Sequence, residues 1–539
     1  MIYDYIIVGA GSAGCVLADA LSETGKHQVL VIESGPKDDS FLLTMPRGIG
    51  KILHPESPYV WQYDVDKGLA QFTRGDNNKE TWLKGRVLGG SSSINGMVYA
   101  RGFAHDYDQW ETLGCNGWNW HNLRPHFMAH EQHELGSNNE RGADGPLRIT
   151  VHPKNDNGQA VRHLSDAILH AMADNGITTT DDTNDNGGAG YQPRTIFQGK
   201  RCSAAKAFLK PAMHRHNLTV MHDTTVQKIL FNENRAIGVE LKHNGNIIRK
   251  ESRRDIILSA GAIESPKLLM LSGIGDRAHL TDLKIPLVQH APEVGQNLQE
   301  HFYIHTRFRV RKGSLNKAFQ GVGLIKSLCR YLLTHKGPFS HAAHELIAYS
   351  RSQPNITKPD CQIGVGLYSL IPQTFPPQPD KFPGITIGGY PLHPTSRGHL
   401  RLQSAQPQVA PKILANFLNT EDDKKTAVAL LRQIRSIAQQ SALADHIEEE
   451  LNPGVNATSD EQLLAYYQNY GGTAYHVAGT CRMGSDPGAV VDTRTKVCGV
   501  EGLRVVDTSI FPRLPSGNTN APTMAVARFA SSLILADAR

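Results

Sequence analysis

Short, largely apolar runs next to glycine turns mark both ends of this chain. Residues 3–8 and 29–32 are such runs, and 254–261 and 503–507 repeat the pattern much later in the sequence. Strands that are buried on both faces of a parallel sheet read as continuous apolar segments rather than alternating ones. We therefore predict that these distant segments return to one parallel sheet with helices on its faces.

The turn after the first run has the spacing Gly9-x-Gly11-x-x-Gly14, and Glu33 ends the second run. In such a unit the glycines permit a tight turn, close approach of a pyrophosphate and close packing of the helix predicted over 15–21. The helix N-terminus faces the phosphates, and the acid accepts a ribose hydroxyl. This context predicts dinucleotide binding without specifying the dinucleotide. The predicted contacts here are Gly9, Gly11, Ser12, Ala13, Gly14, Glu33 and Ser34.

Between these glycine-rich segments the chain is richer in His, Gln, Asn and Pro, and its strands are less regular. Such alternation indicates a second domain inserted in pieces, with a cleft between the two. We predict an α/β fold in which a Rossmann-like domain (1–150, 200–300 and 476–539) is interleaved with an antiparallel-sheet, substrate-binding domain (151–199 and 301–475).

Composition narrows the protein class but not the chemistry. The 539 residues are 40% hydrophobic and 20% charged, and the formal charge of +5 includes no Lys/Arg tract that would suit nucleic acid. Seven scattered cysteines lack a CxxC pair, and no residue set has the spacing of a metal site. No apolar run reaches the ~18 residues of a membrane span. With a strand beginning near residue 3, we expect no signal peptide and a cytoplasmic location.

A second unusual turn, GRVLGGSSSINGMV, occupies residues 85–98. Its small residues present backbone N–H groups and hydroxyls together, which suits phosphates and a flat polar ring system. A flexible linker is the alternative, but regularly interposed Val, Leu, Ile and Met side chains argue against it. We predict a second cofactor contact here.

This turn, the later segment GAIESPKLLMLSGIG (261–275) and the C-terminal region resemble the glucose–methanol–choline (GMC) family of flavin oxidoreductases along essentially the whole chain. Within the family the resemblance is to bacterial alcohol dehydrogenases of alkane and choline metabolism. It implies FAD rather than NAD, with Glu33 on the adenosine ribose, residues 85–98 around the pyrophosphate and isoalloxazine, and Asp507 near the ribityl chain. Some members carry a histidine that binds FAD covalently where this chain has Ile94, so we expect noncovalent FAD. The further implied contacts are Arg86, Val87, Gly89, Gly90, Ser91, Asn95, Gly96, Met97, Val98, Val226 (through its backbone), Ala260, Gly261, Asp507, Thr508, Asn520, Pro522 and Thr523.

The segment YHVAGTCRMG (475–484) resembles the family motif that carries the active-site histidine, which is His476 here, and GNTNAPTM (517–524) resembles the asparagine motif. We expect Asn520 to lie opposite His476. A neutral imidazole accepts the hydroxyl proton of an alcohol near physiological pH, and an amide holds the substrate oxygen without competing for that proton. Pro522 and Thr523 fall in the first turn of a helix predicted over 521–535, whose N-terminus favours negative charge on the flavin.

These features predict FAD-dependent oxidation of a primary alcohol, with a quinone or another carrier (an artificial dye in the assay) as electron acceptor. An oxidase that reduces O2 to hydrogen peroxide, a hydroxynitrile lyase of the same fold and a nicotinamide enzyme are the alternatives. The loop 295–301 is interpreted as structural. The stretch 324–333, which is apolar with interspersed basic residues, is typical of a packed helix. The alternative is a helix on a membrane surface, which would imply peripheral association with the inner face of the cytoplasmic membrane. The sequence does not specify the oligomeric state.

Overall fold

The computed structural model of the protein describes residues 2–69, 78–151, 157–372 and 377–538. Its α-helices are α1 (Ser12–Ser22), α2 (Phe41–Thr44), α3 (Ile49–Ile52), α4 (Ala104–Thr112), α5 (Trp120–His130), α6 (Gln159–Asp174), α7 (Thr183–Asn186), α8 (Lys210–Ala212), α9 (Gly261–Leu271), α10 (Arg277–Asp282), α11 (Gly321–Thr334), α12 (Glu421–Gln439), α13 (Ser441–Ala444), α14 (Asp460–Tyr470) and α15 (Asn520–Asp537).

The strands, in chain order, are β1 (Ile2–Val8), β2 (Val29–Ile32), β3 (Val60–Asp66), β4 (Lys79–Gly85), β5 (Glu131–His133), β6 (Leu147–Ile149), β7 (Gly188–Tyr191), β8 (Ile196–Phe197), β9 (Lys200–Arg201), β10 (Leu218–Met221), β11 (Thr224–Asn232), β12 (Arg235–His243), β13 (Asn246–Leu258), β14 (Ile274–Gly275), β15 (Gln289–His290), β16 (Phe302–Val310), β17 (Leu346–Ser350), β18 (Cys361–Gly366), β19 (Gly384–Pro391), β20 (His399–Arg401), β21 (Lys412–Leu414), β22 (Ile447–Asn452), β23 (Gly472–Thr473) and β24 (Leu503–Val505).

The predicted parallel sheet is confirmed. Strands β10, β2, β1 and β13 lie side by side, and β24 pairs with the end of β13. Val8 is in register with both Ile32 and Leu258. The chain therefore leaves three neighbouring strands at one edge, the carboxyl edge at which open α/β sheets bind their ligands.

The second predicted layer is also confirmed as antiparallel. It runs β22-β16-β19-β18-β17-β7, with β23 paired to the start of β16. A smaller sheet, β20-β21-β3-β4, joins residues 60–85 to residues 399–414. This sheet crosses the predicted division of the chain, because β3 and β4 were expected in the first domain and β20 and β21 in the second.

Helices α1 and α15 pack against each other beside the parallel sheet, and both begin at its carboxyl edge. Gly14 lets α1 lie close to the first glycine turn, because any Cβ there would overlap the carbonyl oxygen of Gly9. The buried strand residues Ile6, Ile7 and Leu258 have no exposed surface, and each such side chain contributes about 1.5–3 kcal/mol through burial. The packed core thus fixes where the two helix N-termini point.

Helix α11 differs from the expected packed helix. Its buried residues are only Ser327 and Tyr331, and most of its apolar side chains are exposed. Among the residues that the structure describes, no helix is both long enough and apolar enough to cross a membrane.

Candidate active site

A cavity of about 270 Å³ lies at the carboxyl edge of the parallel sheet and extends towards the antiparallel sheet's side of the molecule, where His476 lines it. Most of the predicted cofactor contacts lie on its wall. They are Gly9, Gly11, Ser12, Ala13, Glu33, Ser34, Gly90, Ser91, Asn95, Gly96, Met97, Val98, Val226, Ala260, Gly261, Asp507, Thr508, Asn520 and Thr523.

Five predicted contacts lie behind this wall rather than on it: Gly14, Arg86, Val87, Gly89 and Pro522. Arg86 instead places its guanidinium 4.9 Å from the ring centroid of Trp61, which does line the cavity. The Gly89 N–H donates to the carbonyl of Ala10 at 2.8 Å and so holds the 85–98 turn against the first glycine turn. Arg86 and Gly89 therefore support the wall, and direct contact of these five residues with the cofactor stays a prediction.

The glycines on the wall divide into two kinds. A Cβ on Gly90 would come within 2.7 Å of the Cα of Gly11, so the two turns touch through bare backbone. A Cβ on Gly96 or Gly261 would meet nothing within 4 Å, so these glycines leave open space. The α9 N-terminus at Gly261 also has a positive φ of 86°. Backbone exposed in this way suits a ligand that needs close approach and N–H donors.

Glu33 is buried at the end of β2 and accepts hydrogen bonds from the N–H groups of Ala10 and Gly35, both at 2.9 Å. Burial raises the pKa of Glu33 to about 7, against the lowering effect of these hydrogen bonds. One backbone N–H occupies one lone pair of each carboxylate oxygen, and a second lone pair on each remains. The geometry is compatible with the predicted ribose contact.

His476 is brought to the cavity by pairing between two loop segments. Ala478 and Gln299 exchange backbone hydrogen bonds of 3.0 Å, and the Ala474 N–H donates to the His301 carbonyl at 3.0 Å. The segment 474–478 therefore runs antiparallel to 299–301, directly before β16. This pairing places His301 and His476 side by side, with 2.9 Å between their Nδ1 atoms.

A backbone carbonyl fixes which nitrogen of His476 carries the proton. His301 Nε2 lies 2.7 Å from the carbonyl oxygen of Leu392, which can only accept, so this nitrogen carries hydrogen. Neutral His301 then accepts at Nδ1, so His476 donates from its own Nδ1. The remaining nitrogen, His476 Nε2, is therefore unprotonated, and it accepts a hydrogen bond of 2.9 Å from the Asn518 amide nitrogen.

Burial supports the same protonation states. Burial is the main cause that lowers the pKa of His301 to about 3 and the pKa of His476 well below 6.5, and His301 and Lys84 add to the effect on His476. His301 is fully buried and stacks on Tyr390, with 4.4 Å between ring centroids. Both imidazoles are therefore neutral at physiological pH, and His476 presents an unprotonated nitrogen.

Asn518, rather than the expected Asn520, is the asparagine in hydrogen-bond contact with His476, and a substrate role for Asn520 stays a prediction. Asn520 is the first residue of α15, and its Oδ1 accepts a hydrogen bond from Ser12 Oγ at 2.7 Å. Asn518 precedes the helix and is free to turn towards His476. The motif contains two asparagines two positions apart, and without the helix boundary the sequence did not distinguish them.

Sequence reasoning also missed three residues around His476. Gln362 of β18 donates from Nε2 to Asn518 Oδ1 at 3.3 Å, which orients the Asn518 amide N–H groups towards His476. Glu300, from the loop interpreted as structural, accepts the backbone N–H of His476 at 2.7 Å. Burial raises the pKa of Glu300, and Lys84 on the cavity wall opposes this rise. None of these residues has a spacing signal, because the contacts join segments that are distant along the chain.

The N-terminus of α15 faces the same cavity through Thr519, Asn520 and Thr523. Asp507 lies across from it and accepts from the Gly261 N–H at 2.8 Å and Ser265 Oγ at 2.6 Å, so it caps α9 as well as lining the cavity. A helix N-terminus carries partial positive charge and stabilises nearby anionic groups. Two glycine turns, a buried acid at the end of β2, two helix N-termini and a neutral histidine line one cavity, and this set of groups suits the expected FAD.

Comparison with known proteins gives the same result. Residues 3–303 and 394–527 match the N- and C-terminal family models of the GMC oxidoreductases. Mitochondrial choline dehydrogenase of Homo sapiens is 41% identical, over 99% of this chain and 89% of that protein. The oxygen-dependent choline dehydrogenase of Photobacterium profundum is 37% identical, over 99% of this chain and 93% of that protein.

Among solved structures, pyridoxine 4-oxidase from Mesorbium loti superposes with a TM-score of 0.87 at 30% identity, covering 98% of each chain. Formate oxidase, at 24% identity and a TM-score of 0.88, shares the fold over 99% of this chain and 98% of its own. The chain belongs to the GMC oxidoreductase family and is an FAD-dependent alcohol oxidoreductase.

Proposed function

We propose that the protein oxidises an uncharged primary alcohol to an aldehyde, with His476 as general base and FAD as hydride acceptor. The observation that carries this proposal is the unprotonated Nε2 of His476, which the hydrogen bond from His301 to Leu392 leaves facing the cavity. Alcohol oxidation needs such a base, because the hydroxyl proton must be removed when the hydride leaves the carbon.

Each residue of the site then has a defined role. Asn518 donates to the substrate oxygen, and Gln362 holds its amide in the required orientation. His476 Nε2 accepts the hydroxyl proton, and the neutral His301 receives the hydrogen bond from the imidazolium Nδ1 that results. FAD, when bound, supplies the hydride acceptor at N5. Holding the alcohol between two fixed side chains supplies the orientation that hydride transfer needs.

Noncovalent attachment of FAD is a second part of the proposal. Ile94 lines the cavity at the turn position that carries histidine in covalent members, and its side chain packs in an apolar cluster with Leu43 and Val87. This side chain has no nucleophilic atom. Acid precipitation of the holoenzyme should therefore leave the flavin in the supernatant, whereas flavin that stays with the pellet would contradict noncovalent binding.

An uncharged substrate is inferred from the carboxylates of the site. Glu345 does not line the cavity, and it lies 3.8 Å from Arg47 and 3.7 Å from Arg194. Glu300 is opposed by Lys84, which itself lines the cavity. Arg86 already lies over one face of Trp61. The carboxylates that line the cavity in the described residues are those of Glu33, Glu264 and Asp507, and each already has a hydrogen-bond or ion-pair partner. None is therefore left unpaired for a quaternary ammonium group.

The electron acceptor is proposed to be a quinone or another carrier. Reduction of O2 to hydrogen peroxide is the second candidate, and it is favoured by the similarity to a pyridoxine oxidase at 30% identity. Dye reduction without peroxide release supports the carrier, and stoichiometric peroxide release in air supports the oxidase.

The proposal is tested by anaerobic addition of alcohols to the purified holoenzyme while the flavin absorbance is recorded. We expect neutral aliphatic or aromatic primary alcohols to bleach the flavin and choline to bleach it at least ten-fold more slowly at equal concentration, which corresponds to about 1.4 kcal/mol. His476→Ala should retain FAD without bleaching. Faster bleaching by choline contradicts the uncharged substrate, and cyanohydrin turnover without any bleaching contradicts the oxidation itself.

The two asparagines form a matched pair for a second prediction. Asn518→Ala should lower kcat by about 10²–10³-fold, the usual loss when a donor to a reacting oxygen is removed. Asn520→Ala should leave kcat within a few-fold and instead weaken FAD retention, because Asn520 contacts Ser12 at the first turn. Steady-state kinetics and flavin content measure both effects. A reversed pattern would assign the substrate contact to Asn520.

A further inference from the structure

We propose that the outward face of helix α11 docks on an anionic phospholipid bilayer. This amphipathic helix turns its apolar side to the solvent and its more polar side to the protein. The buried side is formed by Ser327 and Tyr331, and the Tyr331 hydroxyl donates to the Gly199 carbonyl at 3.0 Å. A helix that only completes a core would bury its apolar side instead.

The exposed side chains form one continuous stripe. Val322, Ile325, Leu332 and Leu333 fall within an arc of about 100° at 3.6 residues per turn. Their exposed fractions are 67%, 63%, 51% and 84%. Phe41 packs at the opposite, buried side of the helix, where it is 43% exposed and its ring centroid lies 6.0 Å from that of Tyr331. Contiguous apolar surface of this kind marks an interaction site.

Charge identifies the partner. Residues 301–344 contain no Asp or Glu, and the part around the helix carries Arg311, Lys312, Lys317, Lys326, Arg330 and Lys336. Lys326 and Lys336 are exposed next to the stripe. Apolar side chains flanked by basic ones are the pattern of helices that lie in the interface of an anionic bilayer.

A second copy of the chain fits this face less well. A two-fold interface brings the same patch of each copy together. Such an interface would place the basic groups around α11 against each other, with no acidic residue of the same stretch to offset them. Anionic lipid headgroups instead complement the charge while the acyl region takes the apolar stripe.

The docking face adjoins the cavity through the segment 41–53. Phe41 at its start contacts α11, and Leu53 at its end lines the cavity. Arg47 strengthens the connection, because its guanidinium lies 4.7 Å from the ring centroid of Phe319, directly before the helix. A bilayer beneath α11 would therefore lie beside one wall of the active site, where a lipid-soluble acceptor or substrate is concentrated.

The test is co-sedimentation of the holoenzyme with vesicles of mixed phosphatidylcholine and phosphatidylglycerol, with pure phosphatidylcholine vesicles in parallel. We expect binding to the anionic vesicles that weakens with salt. The double substitution Ile325→Glu/Leu333→Glu should lower the partition coefficient at least ten-fold. Lys326→Gln and Lys336→Gln should each lower it about five-fold, the effect of about one removed charge at a lipid surface.

Ile247→Glu is the matched control, because Ile247 is 54% exposed on β13, outside α11. This control should bind as the unsubstituted enzyme does, and all variants should keep their FAD content and dye-reducing activity. Absence of vesicle binding, or equal loss in the control, would overturn the proposal. A dimer that Ile325→Glu/Leu333→Glu dissociates, without vesicle binding, would assign the face to a second copy.

Discussion

The hydrogen bond between His301 Nε2 and the Leu392 carbonyl is the constraint on which the active site depends. A carbonyl oxygen cannot donate, so this 2.7 Å contact fixes the hydrogen on His301 Nε2 and, through the Nδ1 pair, the hydrogen on His476 Nδ1. The outcome is an unprotonated His476 Nε2 next to Asn518. Burial of both rings then prevents protonation from reversing this arrangement.

This chain of hydrogen bonds joins parts of the molecule that are distant in sequence. His301 directly precedes β16, Leu392 directly follows β19, and Gln362 lies on β18 of the same sheet. His476 and Asn518 come from the C-terminal segments that return to the parallel sheet. The antiparallel sheet thus sets the proton positions, whereas the parallel sheet and the glycine turns shape the cofactor site. Neither part forms the active site without the other.

Local sequence patterns were sufficient to predict the fold of the cofactor half of the protein. A single βαβ unit carries all of the information needed there. Its apolar runs, its Gly9-x-Gly11-x-x-Gly14 turn and Glu33 correctly predicted β1, α1 and β2 and the carboxyl edge of the sheet. The substrate half was less predictable. Asn518 and Asn520 differ only in which side of a helix boundary they occupy, and Gln362 and His301 act through contacts between distant segments. The apolar positions of α11 have the same spacing as those of a packed helix. The sequence alone therefore could not show whether they face the core or the solvent.

The protonation state of His476 can be measured through the pH dependence of kcat/KM for a neutral alcohol, since this ratio reports the ionisation of the essential base before substrate binds. A lowered pKa means that the unprotonated base persists to lower pH, and activity falls only as the pH drops through that lowered value. We predict an acidic limb well below pH 6.5, the ordinary histidine value. An acidic limb at or above pH 6.5 would contradict a buried, neutral His476 held by His301.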